Sequence, residues 1–148
     1  MHTIASNKKA RYEYHILDTF EAGIILQGSE VKALREGKGN VRESYIRFIS
    51  KELYIIGMHI GEYSHVGYST HSAVHDRKLL MHRKELNKIK KIVDEKGKTL
   101  IPLSIYFKRG RVKVSFGLAL GKKIWDKRKT KADRDVKKQI DRMMKGQG

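Results

Sequence analysis

Seven histidines are the first residues to question for chemistry. His65, His71 and His75 share one stretch, separated by five and then three residues, which loosely imitates a metal site. Zinc frameworks place Cys and His at short fixed intervals; this chain has no cysteine, and its histidine spacing fits no such framework. A solvated loop is the plainer reading. His59 and His82 border apolar stretches and read as structural residues. A nuclease would need carboxylates paired on metal ions, or a His/Glu acid–base couple. Glu13, Asp18, Glu21, Glu30, Glu36 and Glu43 are scattered instead, and no GxxxxGK loop is present to cradle a phosphate. Neither an enzyme nor a metal or other cofactor is expected. The rival from that class is a metal-dependent ribonuclease using Glu21 or the loop histidines.

The positive signal is cationic. Asn7-Lys8-Lys9-Ala10-Arg11-Tyr12 mixes cations with an aromatic ring, and Lys32, Arg35 and Lys38 recur at i, i+3, i+6. Arg77-Lys78-Leu79-Leu80-Met81-His82-Arg83-Lys84 is a third cluster. Lys108, Arg109, Arg111 and Lys113 form a fourth. Any one of these is unremarkable as a charged rim. Four together suit a surface that follows the phosphates of a folded RNA.

The elements that must position these groups are mostly strands. Tyr12, Tyr14 and Ile16 alternate with Glu13, His15 and Leu17, and Ala22-Gly23-Ile24-Ile25-Leu26 is a short apolar run. Tyr45-Ile46-Arg47-Phe48-Ile49 and Leu53-Tyr54-Ile55-Ile56-Gly57-Met58 flank Ser50-Lys51-Glu52, a hairpin-length link. Residues 99–108 and 111–120 form a second hairpin about Arg109-Gly110; in its second arm Val112, Val114, Phe116, Leu118 and Leu120 alternate with Lys113, Ser115, Gly117 and Ala119. One helix is expected over 30–35, with Ser29 as N-cap and Gly37 as stop. A second is expected over 83–96, with Leu86, Ile89 and Val93 on one face and Gly97 at its end. Residues 61–76 read as a polar loop. Meander pairs with two intervening helices fit a small closed barrel of OB type or an open α+β sheet, and the pattern does not separate the two.

The chain has 148 residues, a formal charge of +17 and a pI near 10.1, more than solubility requires, which points to a polyanion. No apolar run approaches the roughly 20 residues of a spanning helix; no signal-type or lipidation motif appears either, so a cytoplasmic location without membrane contact is expected. Charge is uneven: residues 121–148 hold eleven Lys/Arg against four Asp. This sets a body at 1–120 apart from a basic tail at 121–148. Within the tail Val136, Ile140, Met143 and Met144 make a thin apolar stripe, Thr130 with Asp133 resembles a capping box, and Asp133–Lys137 and Asp141–Lys145 are i,i+4 pairs. Such a helix should be marginal alone in water and fold on an RNA surface.

Longer motifs carry a resemblance. Asn7-Lys8-Lys9-Ala10-Arg11-Tyr12-Glu13-Tyr14, Phe20-Glu21-Ala22-Gly23-Ile24 and Gly28-Ser29-Glu30-Val31-Lys32-Ala33-Leu34-Arg35-Glu36-Gly37-Lys38 come first. Asn40-Val41-Arg42-Glu43-Ser44-Tyr45, Arg77-Lys78-Leu79-Leu80-Met81-His82, Pro102-Leu103-Ser104-Ile105-Tyr106-Phe107-Lys108 and Gly121-Lys122-Lys123-Ile124-Trp125-Asp126-Lys127-Arg128 follow in order. Over nearly its whole length the chain resembles the SsrA-binding protein (small protein B) family of bacterial trans-translation.

That resemblance implies a mainly β fold with helices: a small OB-like antiparallel barrel, two or three flanking helices, and a basic C-terminal tail disordered off the ribosome and helical on it. It implies a non-enzymatic protein, expected to be a monomer, that binds the tRNA-like domain of transfer-messenger RNA. The pair enters stalled ribosomes with elongation factor Tu as the co-delivered factor. It further implies that Glu21, Leu80 and Lys113 support RNA binding. Gly121, Lys122, Lys123, Asp126, Lys127 and Arg128 would serve the decoding centre and mRNA channel of the small subunit. The RNA-contacting set expected from the clusters and the resemblance together is Asn7, Lys8, Arg11, Tyr12, Glu21, Lys32, Arg35, Lys38, Arg77, Lys78, Leu80, Lys108, Arg111 and Lys113. Two positions depart from the common pattern. Tyr12 stands where relatives often carry His, keeping a stacking plane and a hydroxyl. Trp125 stands where His or Tyr is common; stacked on a ribosomal base it would contribute about 1–3 kcal/mol, whereas its plainer role is to pack on the barrel's edge. The alternative reading within the binding class is a ribosomal protein or initiation-factor-like OB domain bound to ribosomal RNA.

Overall fold

Residues 1–64, 72–94 and 97–121 are described by the computed structural model. Their elements are β1 (His2–Ser6), α1 (Ala10–Glu13), β2 (Tyr14–Ile24), α2 (Gly28–Arg35), β3 (Gly39–Asn40), β4 (Tyr45–Ile49), β5 (Glu52–Ile56), β6 (His59–Ile60), β7 (Arg77–Leu80), α3 (Arg83–Val93), β8 (Lys98–Lys108) and β9 (Arg111–Gly121). The expected basic tail beyond Gly121, with its helix and with Lys122, Lys123, Trp125, Asp126, Lys127 and Arg128, lies outside the described residues, as do His65 and His71.

Strands run in the order β1-β8-β4-β5-β7-β2-β9, and β8 also pairs with β9. That last pairing decides between the two architectures. β8 and β9 join through the turn at Arg109-Gly110, where both residues hold positive φ (52° and 75°), as the primed hairpin turns that match strand twist require. The ring β8–β4–β5–β7–β2–β9 therefore returns to β8: an OB-like antiparallel barrel, not an open sheet. β3 and β6 form a separate small ladder.

β8 is long enough to serve three neighbours. β9 occupies one edge throughout; the other edge is shared by β4, at Leu100, and by β1, from Ser104 to Phe107. Between them Leu103 is the extra residue of a bulge against β9, directly after Pro102, which has no N–H to give a ladder. The exposed carbonyls of that gap are taken by one residue: Asn7 donates its side-chain amide to Pro102 O at 3.0 Å and its backbone N–H to Leu103 O at 2.8 Å. Asn7, expected on RNA, is thus spent at least partly on the barrel.

The core is continuous from strands to helices. Leu53, Ile55, Leu79, Leu100, Ile105, Val114 and Phe116 are buried with Ala33 and Leu34 of α2 and Leu86 and Ile89 of α3. β9 adds a second layer at its end. Gly117 and Ala119, which alternate with the apolar residues of this arm, are buried as well, and Ala119 packs with Ala10 and Ile101.

Five local expectations shift. Residues 10–13 form a helical turn, so the strand begins at Tyr14, and a bulge at Leu17 breaks its alternation. The first hairpin pairs Ile49 with Glu52, leaving a two-residue turn. α2 is capped by Gln27 rather than Ser29: the Glu30 carboxylate accepts the Gln27 backbone N–H at 2.9 Å, and Ser29 is buried inside the helix. α3 stops at Val93, three residues before the expected end. The polar loop is not wholly unpaired, since Ile60 donates to Ala73 O at 2.9 Å and His59 bridges Val74. Among the described residues, no helix is long and apolar enough to cross a membrane.

Candidate nucleic-acid interface

On the barrel's outer face, register builds a row. Gly23 on β2 pairs with Leu80 of β7 on one side and with Lys113 of β9 on the other. Lys113 pairs in turn with Tyr106 of β8. Glu21, two residues before Gly23, faces the same way because strand side chains alternate. Inner-face neighbours Ala22, Leu79, Ile105, Val112 and Val114 are buried, and this fixes the outward direction of the row.

The row is a shallow concavity rather than a ridge, because Gly23 puts no side chain between Leu80 and Lys113. Two adjoining depressions of about 390 and 370 Å³ share Gly23, Leu80 and Lys113. Arg111, Ile24 and Val31 line the first; Glu21, His82 and Glu85 line the second. Leu80 is 49% exposed although its chain neighbour Leu79 is fully buried. An aliphatic side chain so exposed in a concavity flanked by Glu21, Arg111 and Lys113 suits an apolar contact with a base or sugar.

Electrostatics reinforce the site. Glu21 accepts a short hydrogen bond from the Tyr106 hydroxyl, and Lys108 Nζ stands 3.3 Å from its other oxygen. The Tyr106 hydrogen bond foremost, then the Lys108 and Lys113 ammonium groups, outweigh partial desolvation and hold the Glu21 carboxyl below the usual range. Burial, then the hydrogen bond to Glu21 and the charge of that carboxylate, push the Tyr106 phenol well above its ordinary value. At neutral pH the face therefore presents a fixed carboxylate acceptor flanked by cations. That pattern can receive a base or ribose donor while Lys113, Lys108 and Arg111 meet phosphates.

Not every expected residue joins this face. Lys78 shares the outer side of β7 with Leu80, 3.7 Å from Glu52. Lys8, Arg11 and Tyr12 are exposed, Tyr12 to 79%, but they lie on or beside α1, next to the start of β2 where Tyr14 pairs with Gly121. A separate cleft of about 230 Å³ opens there, lined by Lys9, Glu13, Arg42 and Tyr45 among others. α2 reaches the main depression through Val31; Lys32 and Arg35 do not line it. Lys38 donates to Glu62 O at 2.8 Å and pairs with Glu36.

Arg77 is a correction. The cationic cluster places it on RNA, whereas in the structure its side chain is fully buried. Its Nε donates to Glu30 Oε2 at 2.5 Å, one terminal nitrogen donates to Met58 O at 2.5 Å, and the other to Ala73 O at 3.3 Å. His75, read as a solvated loop residue, places Nε2 3.0 Å from the same Glu30 oxygen. Burial opposes the Glu30 charge, but the Gln27 N–H, Arg77 and His75 prevail and keep its carboxyl below the usual range. This network ties α2 to β7 and to the chain at 72–76; it has no RNA-facing surface.

Gly23, Tyr106 and His82 belong to this face although nothing in their sequence surroundings signals a site. Tyr106 lies in a run legible only as strand, and the 85 residues separating it from Glu21 leave no spacing signal.

The SmpB family model, described as "SmpB protein", matches residues 4–146. The chain belongs to the SmpB protein family. It is 47% identical over 144 residues to the SsrA-binding protein of Ruminiclostridium cellulolyticum, covering 97% of this chain and 94% of the relative. It is 48% identical over 143 residues to that of Chloroflexus aurantiacus, covering 96% and 89%. A chain of the solved structure described as "tmRNA-SmpB: a journey to the center of the bacterial ribosome" superposes with a TM-score of 0.65 at 46% identity, over 78% of this SmpB-family chain and 82% of that one.

Proposed function

We propose that this chain binds the tRNA-like domain of transfer-messenger RNA and delivers it to stalled ribosomes in trans-translation, acting as a cytoplasmic, monomeric, non-enzymatic partner. The observation that carries the reading is the convergence of Glu21, Leu80 and Lys113 around Gly23. Three residues spread over 93 positions of chain meet on one concave face and offer the three contacts that folded RNA needs: an acceptor, an apolar surface and a cation. Membership of the SmpB family and likeness to a protein solved with tmRNA support the same reading.

The body then reads RNA shape, with Lys108 and Arg111 extending the phosphate contacts. Lys8, Arg11 and Tyr12, exposed beside the start of β2, add a second set of RNA contacts away from the main concavity. Gly121, Lys122, Lys123, Trp125, Asp126, Lys127 and Arg128 occupy the vacant mRNA channel near the decoding centre, and elongation factor Tu accompanies the RNA. An intact message would fill the same channel, so occupancy itself separates stalled from translating ribosomes.

Pull-down of the tagged chain from a bacterial lysate, followed by RNA sequencing, tests this. One dominant small RNA with a tRNA-like end is expected; ribosomal RNA alone would favour a ribosomal or initiation-factor-like role. The same RNA incubated with the chain and Mg²⁺ or Mn²⁺ should stay uncut.

A further inference from the structure

Most glycines of this barrel that face close neighbours are explained by the fold. A Cβ at Gly39 would meet Leu34 Cδ2 at 2.8 Å, and one at Gly117 would meet Ile16 Cγ2 at 3.1 Å. Gly57 combines φ +80° with a carbonyl 3.0 Å away. Gly23 differs on each count. It lies inside β2 without positive φ, and a Cβ there would make only ordinary contacts, 3.4 Å to Leu80 Cβ and 3.8 Å to Leu80 Cδ1. The barrel could hold an alanine. Glycine within a strand gives up packing and loses more chain entropy on folding, so the fold alone gives no reason for it here.

The reason lies outside the chain. We propose that Gly23 is the bare floor of the RNA-binding face, a specificity-determining residue whose missing side chain lets a nucleotide of the bound RNA rest on the β2 backbone between Leu80 and Lys113. Gly23 lines both depressions, and its cross-strand partners form their walls. A methyl group projecting about 1.5 Å would stand where the nucleotide's sugar or base edge must settle. Glu21, two residues away on the same face, and Lys113 would still be present but held off their RNA partners. This inference rests on the RNA-binding reading above.

Purified wild-type chain, Gly23→Ala and Lys113→Ala are compared for affinity to a synthetic tRNA-like domain across a salt series, and for melting temperature. Gly23→Ala should bind at least tenfold more weakly with an unchanged or higher melting temperature. Its salt slope should equal the wild type's, because no cation has been removed; Lys113→Ala should lower that slope by about one. Undiminished binding by Gly23→Ala beside tight wild-type binding overturns the inference and leaves the RNA reading standing. A marked fall in melting temperature also overturns it, returning Gly23 to the fold. Failure of the wild-type chain to bind sinks the underlying reading itself.

Discussion

The Tyr106 hydroxyl donates to the Glu21 carboxylate from two strands away, so the acidic residue of the proposed RNA-binding face is held by the barrel rather than left to swing in solvent. Lys108 flanks the same carboxylate. A carboxylate pinned in this way meets an RNA donor without first losing side-chain freedom, and pre-organisation of that kind strengthens binding.

Tyr106→Phe removes the hydroxyl and keeps the ring. A hydrogen bond to a charged group is worth about 1.5–3 kcal/mol, and part of that should appear as RNA affinity. Binding to the tRNA-like domain should weaken roughly tenfold, about 1.4 kcal/mol, with only a modest change in melting temperature. Unchanged affinity by fluorescence anisotropy would show that Glu21 needs no such support.

Glu21→Ala and Lys113→Ala should each weaken RNA binding while leaving the melting temperature nearly unmoved, because both side chains lie on the outer face. Loss of fold in either variant would make that residue structural. Lys113→Ala alone should also reduce the salt dependence.

Arg77→Ala should behave in the opposite way. It leaves the Glu30 carboxylate buried without its guanidinium partner, a change that typically costs about 3–5 kcal/mol. Thermal unfolding should shift sharply downward, and RNA affinity measured well below the new transition should match the wild type. Selective loss of RNA binding with full stability would instead place Arg77 on the RNA.

Acid should weaken the fold through Glu30. Its carboxyl lies below the usual range in the folded state, so the stabilisation is complete above the unfolded value near 4.3 and is lost as pH falls through the lowered one. Tyr106 works at the other end: its phenol is raised, so its contribution is complete below an ordinary value near 10 and is lost as pH climbs beyond it. Glu30→Gln should lower stability at pH 7 and flatten the acid limb. Tyr106→Phe should flatten the alkaline limb. Melting curves from pH 2 to 11 follow both.

Truncation after Gly121 keeps β9 whole, including its pairing with Tyr14. The shortened chain should bind the tRNA-like domain nearly as well as the full one yet fail to support tagging of stalled peptides. Equal loss of both activities would dispose of the division between body and tail.

Local patterns were legible where neighbours in sequence are neighbours in space. The hairpin about Arg109-Gly110 was readable because a two-residue turn with a glycine flanked by alternating apolar residues has few other solutions. Leu86 and Ile89 announced the buried face of α3 for a similar reason. Where burial came from distant segments, pattern misled. Tyr12 and Tyr14 suggested one strand, but packing of Ala10 against Ile101 and Ala119 turns residues 10–13 into a helical turn. Arg77 reads like any surface cation until Glu30, 47 residues earlier, is seen beside it.

The sequence alone determined that this chain is a cationic partner of a polyanion, built mostly of strands with amphipathic helices, and its collinear motifs determined the family. Those properties are sums or short-range patterns, carried by each residue's own chemistry. Only the tertiary structure decided that the sheet closes, that Arg77 belongs to the interior, and that Glu21, Leu80 and Lys113 converge on Gly23. Each depends on strand register, and register is set by the burial of a whole face at once. No spacing along the chain encodes which residue will stand opposite a glycine that offers nothing but its backbone.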